Sequence, residues 1–236
     1  MRDLRRLFWT VLAFAAAAVA FGSIVPAASA TSQAARFVTS SCCLLQGSRA
    51  TIWSPDSGEV ALVSNDFFVT SAYADSGVDD LMQTGITYEF NLPEGPSCDL
   101  GSGQRALYYF VEVESNGLFF CYNKGNAGFS VNRMHSVVRN ADGYWRAYRD
   151  GVFMNIRTKW GADCGGNACT VAAFAEEATF QAGSWPAKFA GSGQTPWQRW
   201  TGSSWFTVQQ ANLKLDPFWS VGGPFPGGIW NLTYQR

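Results

Sequence analysis

The chain has 236 residues, with 17 basic and 18 acidic side chains, and neither sign forms a long run. This balance argues against a partner that is nucleic acid or an anionic membrane surface. Only 15% of the residues are charged, whereas 15% are aromatic and 24 are glycine, a composition typical of a β-rich extracellular domain.

The first thirty residues have the layout of a secretory signal peptide. Three arginines precede an apolar stretch over residues 7–21, and a triplet of small residues ends at Ala30. The apolar stretch falls short of the roughly 20 residues that a membrane-spanning helix needs. We therefore expect residues 1–30 to be removed and residues 31–236 to form one secreted domain, not bound to a membrane, since that length suits one large domain better than two.

Short alternating or aromatic-rich runs recur through the mature sequence, and none of them sustains the apolar spacing of a helix. Turn-forming Asp, Asn, Ser and Gly residues separate many of these runs, as at 56–58, 115–117, 142–143 and 150–151. The pattern predicts an all-β fold. The predicted strands cover residues 49–53, 59–63, 67–73, 86–91, 106–114, 118–122, 136–139, 144–148, 152–157, 170–180 and 205–209.

So many strands in one domain favour a two-sheet antiparallel β-sandwich over a closed barrel. Along the strand near residue 110, alternation predicts one core face and one mixed, solvated face. Beyond residue 181 the chain is rich in Gly, Pro and Trp, which indicates long loops and closing strands of the same domain. The predicted core face carries Leu107, Tyr109, Val111 and Val113, and the predicted solvated face carries Tyr108, Phe110, Glu112 and Glu114.

All six cysteines lie in the part predicted to be exported, where an oxidising compartment allows disulfides to persist. We expect no metal and no cofactor, because the chain has no C-x-x-C pair and only one histidine, His135. Cys164 and Cys169 flank a short glycine-containing loop and are the first predicted pair. The second is Cys98 with Cys121, which leaves the adjacent Cys42 and Cys43 to bond each other under strain or to stay partly free.

The segment 142–151, followed by Val152 and Phe153, resembles a hairpin of laminin-G-like and other concanavalin A-like sandwiches. The resemblance implies a concanavalin A-like jelly roll. Asp150 and Gly151 are expected to form the turn of the hairpin. Alternation places Tyr144, Arg146 and Tyr148 on one face, and Trp145 and Ala147 on the other.

A second resemblance bears on function. Residues 81–86 (Leu-Met-Gln-Thr-Gly-Ile) resemble the strand of eqolisin-type glutamic peptidases in which a glutamine precedes a small residue and a glycine. Residues 173–178 (Ala-Phe-Ala-Glu-Glu-Ala) resemble the strand that supplies their catalytic glutamate, and these peptidases share the concanavalin A-like sandwich with the neprosin family. The resemblance implies a catalytic pair of Gln83 with Glu176 or Glu177.

In such a pair the glutamate takes a proton from water, and the glutamine orients that water and stabilises the oxyanion. Neighbouring strand residues point to opposite faces, so at most one of the two glutamates can meet Gln83, and we prefer Glu176. The alternative is that Gln83, Glu176 and Glu177 are ordinary polar strand residues. The first functional hypothesis is therefore a glutamic-peptidase-like hydrolase acting at acidic pH, with a polypeptide as its partner.

Two further hypotheses take a polysaccharide as the partner. Glu112 and Glu114 face the same way at a separation of about 6.5 to 7 Å, near the lower limit for an inverting glycosidase. Tryptophans offer flat surfaces for sugar rings, which would suit a non-catalytic carbohydrate-binding or surface-interaction domain. His135 is expected to be structural, because no nucleophile set can be built around it. The tryptophans concerned are Trp185, Trp197, Trp200, Trp205, Trp219 and Trp230.

We predict that the secreted protein begins at Thr31 and that Cys164 and Cys169 are bridged. Replacing both cysteines by serine should lower the free energy of unfolding by about 2 kcal/mol, since a short loop removes little entropy from the unfolded chain. Intact-mass analysis and peptide mapping test the start and the bridge, and denaturant unfolding tests the energy. Free thiols at both positions would contradict the pairing.

Overall fold

The structure is a computed structural model, and it describes most of the chain between residues 30 and 235. Every regular element within the described ranges is a β-strand, as the sequence predicts. These ranges contain no helix of the length and apolar character needed to cross a membrane. The described residues are 30–34, 46–57, 60–61, 67–75, 80–90, 105–115, 118–159, 171–180, 188–194, 197–209, 219–223 and 230–235.

Sixteen strands are present in these ranges. The first eight are β1 (Ala30–Ala34), β2 (Gly47–Trp53), β3 (Val60–Ala61), β4 (Phe67–Asp75), β5 (Asp80–Phe90), β6 (Arg105–Ser115), β7 (Leu118–Asn126) and β8 (Asn132–Arg139). The others are β9 (Trp145–Arg149), β10 (Val152–Thr158), β11 (Val171–Phe180), β12 (Lys188–Gln194), β13 (Gln198–Trp200), β14 (Trp205–Thr207), β15 (Trp219–Gly222) and β16 (Trp230–Gln235).

The strands form two antiparallel sheets that pack face to face, so the predicted β-sandwich is confirmed. The first sheet has six strands in the order β1-β11-β4-β5-β6-β7. The second has ten, with β10-β9-β8-β2-β12-β16-β15 as its main path and β3, β13 and β14 attached. Strands β4 and β5 of the first sheet pack against β8 of the second, which places the core between them.

Strand β6 confirms one half of its predicted pattern and corrects the other. The core face is buried throughout, from Leu107 to Val113. The opposite face is not simply solvated, because Tyr108 and Phe110 each expose only 1% of their surface. Only the last part of that face, at Glu112 and Glu114, is half-exposed. Alternation identified the two faces correctly, but it does not say what lies over the second one.

The hairpin of β9 and β10 follows the prediction closely. Arg149 pairs with Val152 across a two-residue turn, in which Asp150 and Gly151 have φ values of 50° and 78°. Positive φ at both central residues is the geometry of a type I′ turn, which matches the twist of the strands. Asp150 also accepts a hydrogen bond from the backbone N–H of Met134 at 2.9 Å, which ties the turn to β8. Trp145 and Ala147, which alternation places on the same face, are both buried.

Strand β5 begins six residues before the strand predicted at 86–91, and this difference matters for the site. Met82, Thr84 and Ile86 are fully buried between the sheets, which extends the alternation back to Asp80. Five strands were not predicted at all: β1, β12, β13, β15 and β16. The sequence of β12, Lys-Phe-Ala-Gly-Ser-Gly-Gln, has low intrinsic strand propensity, and its pairing with β16 determines its conformation.

The described residues include only one of the six cysteines, Cys121, so they test few of the disulfide predictions. Cys121 is buried in β7 and takes part in a disulfide. Its partner lies outside the described ranges, so pairing with Cys98 stays a prediction. Cys42, Cys43, Cys164 and Cys169 also lie outside them, as does almost all of the predicted signal peptide.

His135 lies in the core between the sheets, which agrees with a structural role. Its Nδ1 is 3.3 Å from Thr84 Oγ1, and that hydroxyl donates to the carbonyl of Phe110 at 2.9 Å. Nε2 is buried and has no hydrogen-bond partner among the described residues. A neutral ring with its proton on Nδ1 has the lowest free energy. In this tautomer the unpaired Nε2 is an acceptor, whereas in the other tautomer it would be an unpaired N–H donor. Burial, with a smaller effect of the positive Arg149, lowers the pKa of His135 from 6.5 to about 3.

We predict that His135 makes the fold lose stability in acid. Between pH 6.5 and about 3 the unfolded chain takes up a proton that the folded protein excludes, so the free energy of unfolding falls as the pH falls. The loss between pH 7 and pH 4 should be about 3 kcal/mol. His135→Gln should remove this part of the pH dependence in denaturant unfolding series. Parallel pH profiles for both proteins would contradict the prediction.

Candidate functional site

The candidate site lies on the face of the first sheet that points away from the second sheet, here called the outer face. In β5, Thr84 belongs to the inner face, where it contacts His135 and Met154 of the second sheet. Residues alternate along a strand, so Gln83 and Gly85 belong to the outer face. Their partners Glu112 and Phe110 on β6 belong to the same face.

Gln83 is held at both ends of its side-chain amide. The Ser71 hydroxyl donates to Gln83 Oε1 at 2.6 Å, and Gln83 Nε2 donates to Glu112 Oε1 at 2.7 Å. The orientation of the amide follows from the chemistry, because an ionised carboxylate can only accept a hydrogen bond. Gln83 is 8% exposed and Ser71 is fully buried, so the network is largely shielded from water. Among the described residues, Glu112 is the acceptor for one N–H of Gln83 Nε2, and the amide group has a second N–H to donate.

Five positions form a row across the sheet at the level of Gln83, here called the Gln83 row. On one side Gln83 pairs with Tyr73 of β4, which pairs with Ala173 of β11. On the other side Gln83 pairs with Glu112 of β6, which pairs with Cys121 of β7. Paired residues share one face of a sheet, so the row brings the buried amide, a carboxylate and a disulfide-bonded cysteine together.

The glycine of the Gln-Thr-Gly motif has a structural role. A Cβ built on Gly85 would lie 1.9 Å from the Thr70 carbonyl oxygen and 2.7 Å from Ser71 Cα. The backbones of β4 and β5 therefore leave no space for a side chain here. Thr84 forms hydrogen bonds in the core, so Thr84 and Gly85 both have structural roles. Gln83 is the motif residue whose side chain lies on the outer face.

The structure does not bring Glu176 or Glu177 into the Gln83 row. Position 176 pairs with Thr70, which pairs with the core residue Ile86, so it belongs to the inner face. Position 177 belongs to the outer face with Gln83. It is four residues from Ala173 along β11, about 13 Å by strand rise, and β11 is two strands from β5, about 10 Å. The register thus favours position 177 over the position 176 that we preferred from the sequence.

The sequence did not predict two contacts of Gln83, one with Ser71 and one with Glu112. Glu112 was recognised only as half of a carboxylate pair with Glu114. In the structure Glu112 bonds to Gln83, whereas Glu114 pairs with Leu81 and Phe119, one step beyond the Gln83 row. No local signal marks Ser71, because its contact with Gln83 depends on the register of β4 against β5.

Of the six tryptophans singled out from the sequence, Trp197, Trp200 and Trp205 have described side chains, and these pack against protein groups. Trp197 is fully buried and donates its Nε1–H to Ser48 Oγ at 2.8 Å. The rings of Trp200 and Trp205 are 5.2 Å apart, and the Arg49 guanidinium covers Trp205 at 4.2 Å. Trp185 lies outside the described residues. Within those residues, no group of three or more His, Cys, Asp and Glu side chains is placed to hold a metal ion.

No family model and no curated protein matches the chain by sequence. Solved structures do match it. A crystal structure of scytalido-glutamic peptidase with a transition state analog inhibitor is 12% identical, covers 87% of this chain and 99% of its own, and has a TM-score of 0.56. The chain has the fold of this glutamic peptidase. The resemblance to eqolisin-type peptidases predicted from residues 81–86 and 173–178 is thereby confirmed at the level of the fold.

A second structure of scytalido-glutamic peptidase, with a peptide-based transition state analog, is 10% identical over 88% of this chain and 100% of its own, with a TM-score of 0.50. A member of the eqolisin family in complex with the tripeptide Ala-Ile-His is also 10% identical, over 87% and 99%, with a TM-score of 0.45.

Gly85→Ala should lower the free energy of unfolding by at least 2 kcal/mol, because the added methyl group meets backbone that cannot move aside. Gly125→Ala is the control. A Cβ there meets no atom within 4 Å, so only its positive φ of 100° adds a cost of about 1 kcal/mol. Denaturant unfolding of both variants tests the difference. An equal or smaller loss for Gly85→Ala would show that β4 and β5 are not so closely spaced.

Proposed function

We propose that this chain is a secreted, peptidase-like hydrolase that cleaves polypeptides at acidic pH, with Gln83 at the centre of its site. The observation that supports the proposal best is a buried glutamine amide, fixed by Ser71 and Glu112, on the outer face of a sheet with the scytalido-glutamic peptidase fold. The peptide-based analog bound to that peptidase supports a polypeptide as the substrate class.

Gln83 is suited to stabilise charge during peptide cleavage. When water attacks a peptide carbonyl, the carbonyl oxygen becomes negative, and a preorganised N–H donor lowers the energy of that state. Gln83 is preorganised because its Oε1 and one of its two amide hydrogens are already committed. Its second amide hydrogen is the donor that we assign to the oxyanion.

A carboxylate must take the proton from water and later return it to the leaving amine. Glu176 and Glu177 are the candidates from the sequence. Of these two, Glu177 is preferred, because its position shares the outer face with Gln83. We propose an acidic working range because the tetrahedral intermediate goes on to products only while the carboxyl group keeps the proton that it took from water. Rising pH removes that protonated form before the carbon–nitrogen bond breaks.

The proposal predicts cleavage of an unfolded protein substrate in acid and progressive loss of cleavage towards neutral pH. Gln83→Ala should lower kcat/KM by about 10²-fold or more, because the oxyanion loses its donor. Gln209→Ala removes an exposed glutamine outside the site and should match the wild type. Product formation is followed by mass spectrometry from pH 3 to pH 7.

Glu176→Gln and Glu177→Gln in the same assay separate the two predicted carboxylates. Loss confined to Glu177→Gln would assign the carboxylate to the position on the outer face, and loss confined to Glu176→Gln would assign it to the residue preferred from the sequence. Absence of cleavage by the wild type at every pH would contradict the proposed function and favour a non-catalytic binding domain.

A further inference from the structure

The structure gives Gln83 a carboxylate partner that differs from both glutamates of the family-like motif. Gln83 Nε2 donates to Glu112 Oε1 at 2.7 Å, within the short range of charge-assisted hydrogen bonds. The two residues face each other directly across β5 and β6. Their contact therefore follows from strand pairing and does not depend on a long loop.

The position in β11 that shares the Gln83 row is occupied by Ala173, which has no carboxylate. Glu177, on the same face, is separated from Gln83 by roughly 13 Å along the strand and roughly 10 Å across it. A water molecule bridges groups only about 5 to 6 Å apart, because each of its hydrogen bonds is about 2.8 Å long. Of the three glutamates, Glu112 is the one whose described side chain contacts Gln83.

We infer that Glu112 is the catalytic carboxylate of the site and that Ser71 is a positioning residue for Gln83. The inference rests on the proposed peptide hydrolysis. Glu112 is half-exposed, whereas Gln83 and Ser71 are buried. A general base needs access to water, and an oxyanion donor gains from exclusion of water, so the two exposures suit the two roles.

The reaction at this pair is balanced as follows. The Glu112 carboxylate takes one proton from water while the water oxygen bonds to the peptide carbonyl carbon. The carbonyl oxygen becomes an oxyanion and accepts the second N–H of Gln83. The protonated Glu112 then gives its proton to the amide nitrogen, the carbon–nitrogen bond breaks, and an acid and an amine leave.

Glu112→Gln is the decisive variant, because the new amide oxygen still accepts the Gln83 N–H while the group no longer takes up a proton. We expect kcat to fall by about 10²-fold or more with little change in KM. Glu114→Gln is the matched control, two residues along the same strand face and outside the Gln83 network, and should retain activity. Thermal unfolding of both variants checks that each is folded.

A second measurement detects the contact between Gln83 and Glu112 without requiring catalytic turnover. In the wild type, the side-chain amide resonances of Gln83 should shift with pH as Glu112 is protonated, and in Glu112→Gln this titration should disappear. Ser71→Ala should broaden or shift the same resonances and lower kcat. Ser71→Thr keeps a hydroxyl at this position and should retain both the resonances and kcat.

Three outcomes would overturn the inference. If the wild type cleaves and Glu112→Gln cleaves equally well while Glu177→Gln is inactive, Glu112 is not the base, although the proposed function stands. If Gln83 shows no titration in a folded wild type, the pairing itself is wrong. If the wild type cleaves nothing at any pH, the proposed function fails, and the catalytic role of Glu112 fails with it.

Discussion

At Gly85 the backbone of β5 comes so close to Thr70 of β4 that no side chain fits between the strands. This close approach fixes the register of two central strands, and the site depends on it. With Gly85 opposite Ser71, the neighbouring Gln83 comes within hydrogen-bonding distance of the Ser71 hydroxyl. A shift by one residue would turn Gln83 into the core and bring Thr84 to the outer face. The glycine thus acts on function through strand geometry.

The same register determines which acidic residue meets Gln83. Glu112 lies directly across the β5–β6 pair, whereas Glu177 lies on the same face at another level of the sheet. A glutamine held by a serine and a glutamate has a fixed amide orientation, and a fixed donor is what oxyanion stabilisation requires. Cys121 lies next to Glu112 in the Gln83 row.

Because of His135, the acidic pH that the proposed activity requires lowers the stability of the fold. The ring is neutral in the core and next to Thr84, on the strand that carries Gln83. The folded protein resists protonation of His135 down to about pH 3, but the unfolded chain does not. Acid therefore disfavours the fold, and under the proposed function this loss of stability sets a lower limit to the pH range in which the protein works. That limit lies in the core and is independent of the carboxylates on the outer face.

The sequence alone was sufficient for the all-β class, the sandwich, the core face of β6 and the hairpin at Asp150 and Gly151, because alternation and turn chemistry are local properties. It also singled out Gln83 through a short motif. It did not predict β12, whose conformation depends on its partner strands, or the burial of Tyr108 and Phe110. The contact of Gln83 with Ser71 and Glu112, and the placement of positions 176 and 177 on opposite faces, required the strand order and register. These are set by packing between residues distant in the chain, which only the tertiary structure decides.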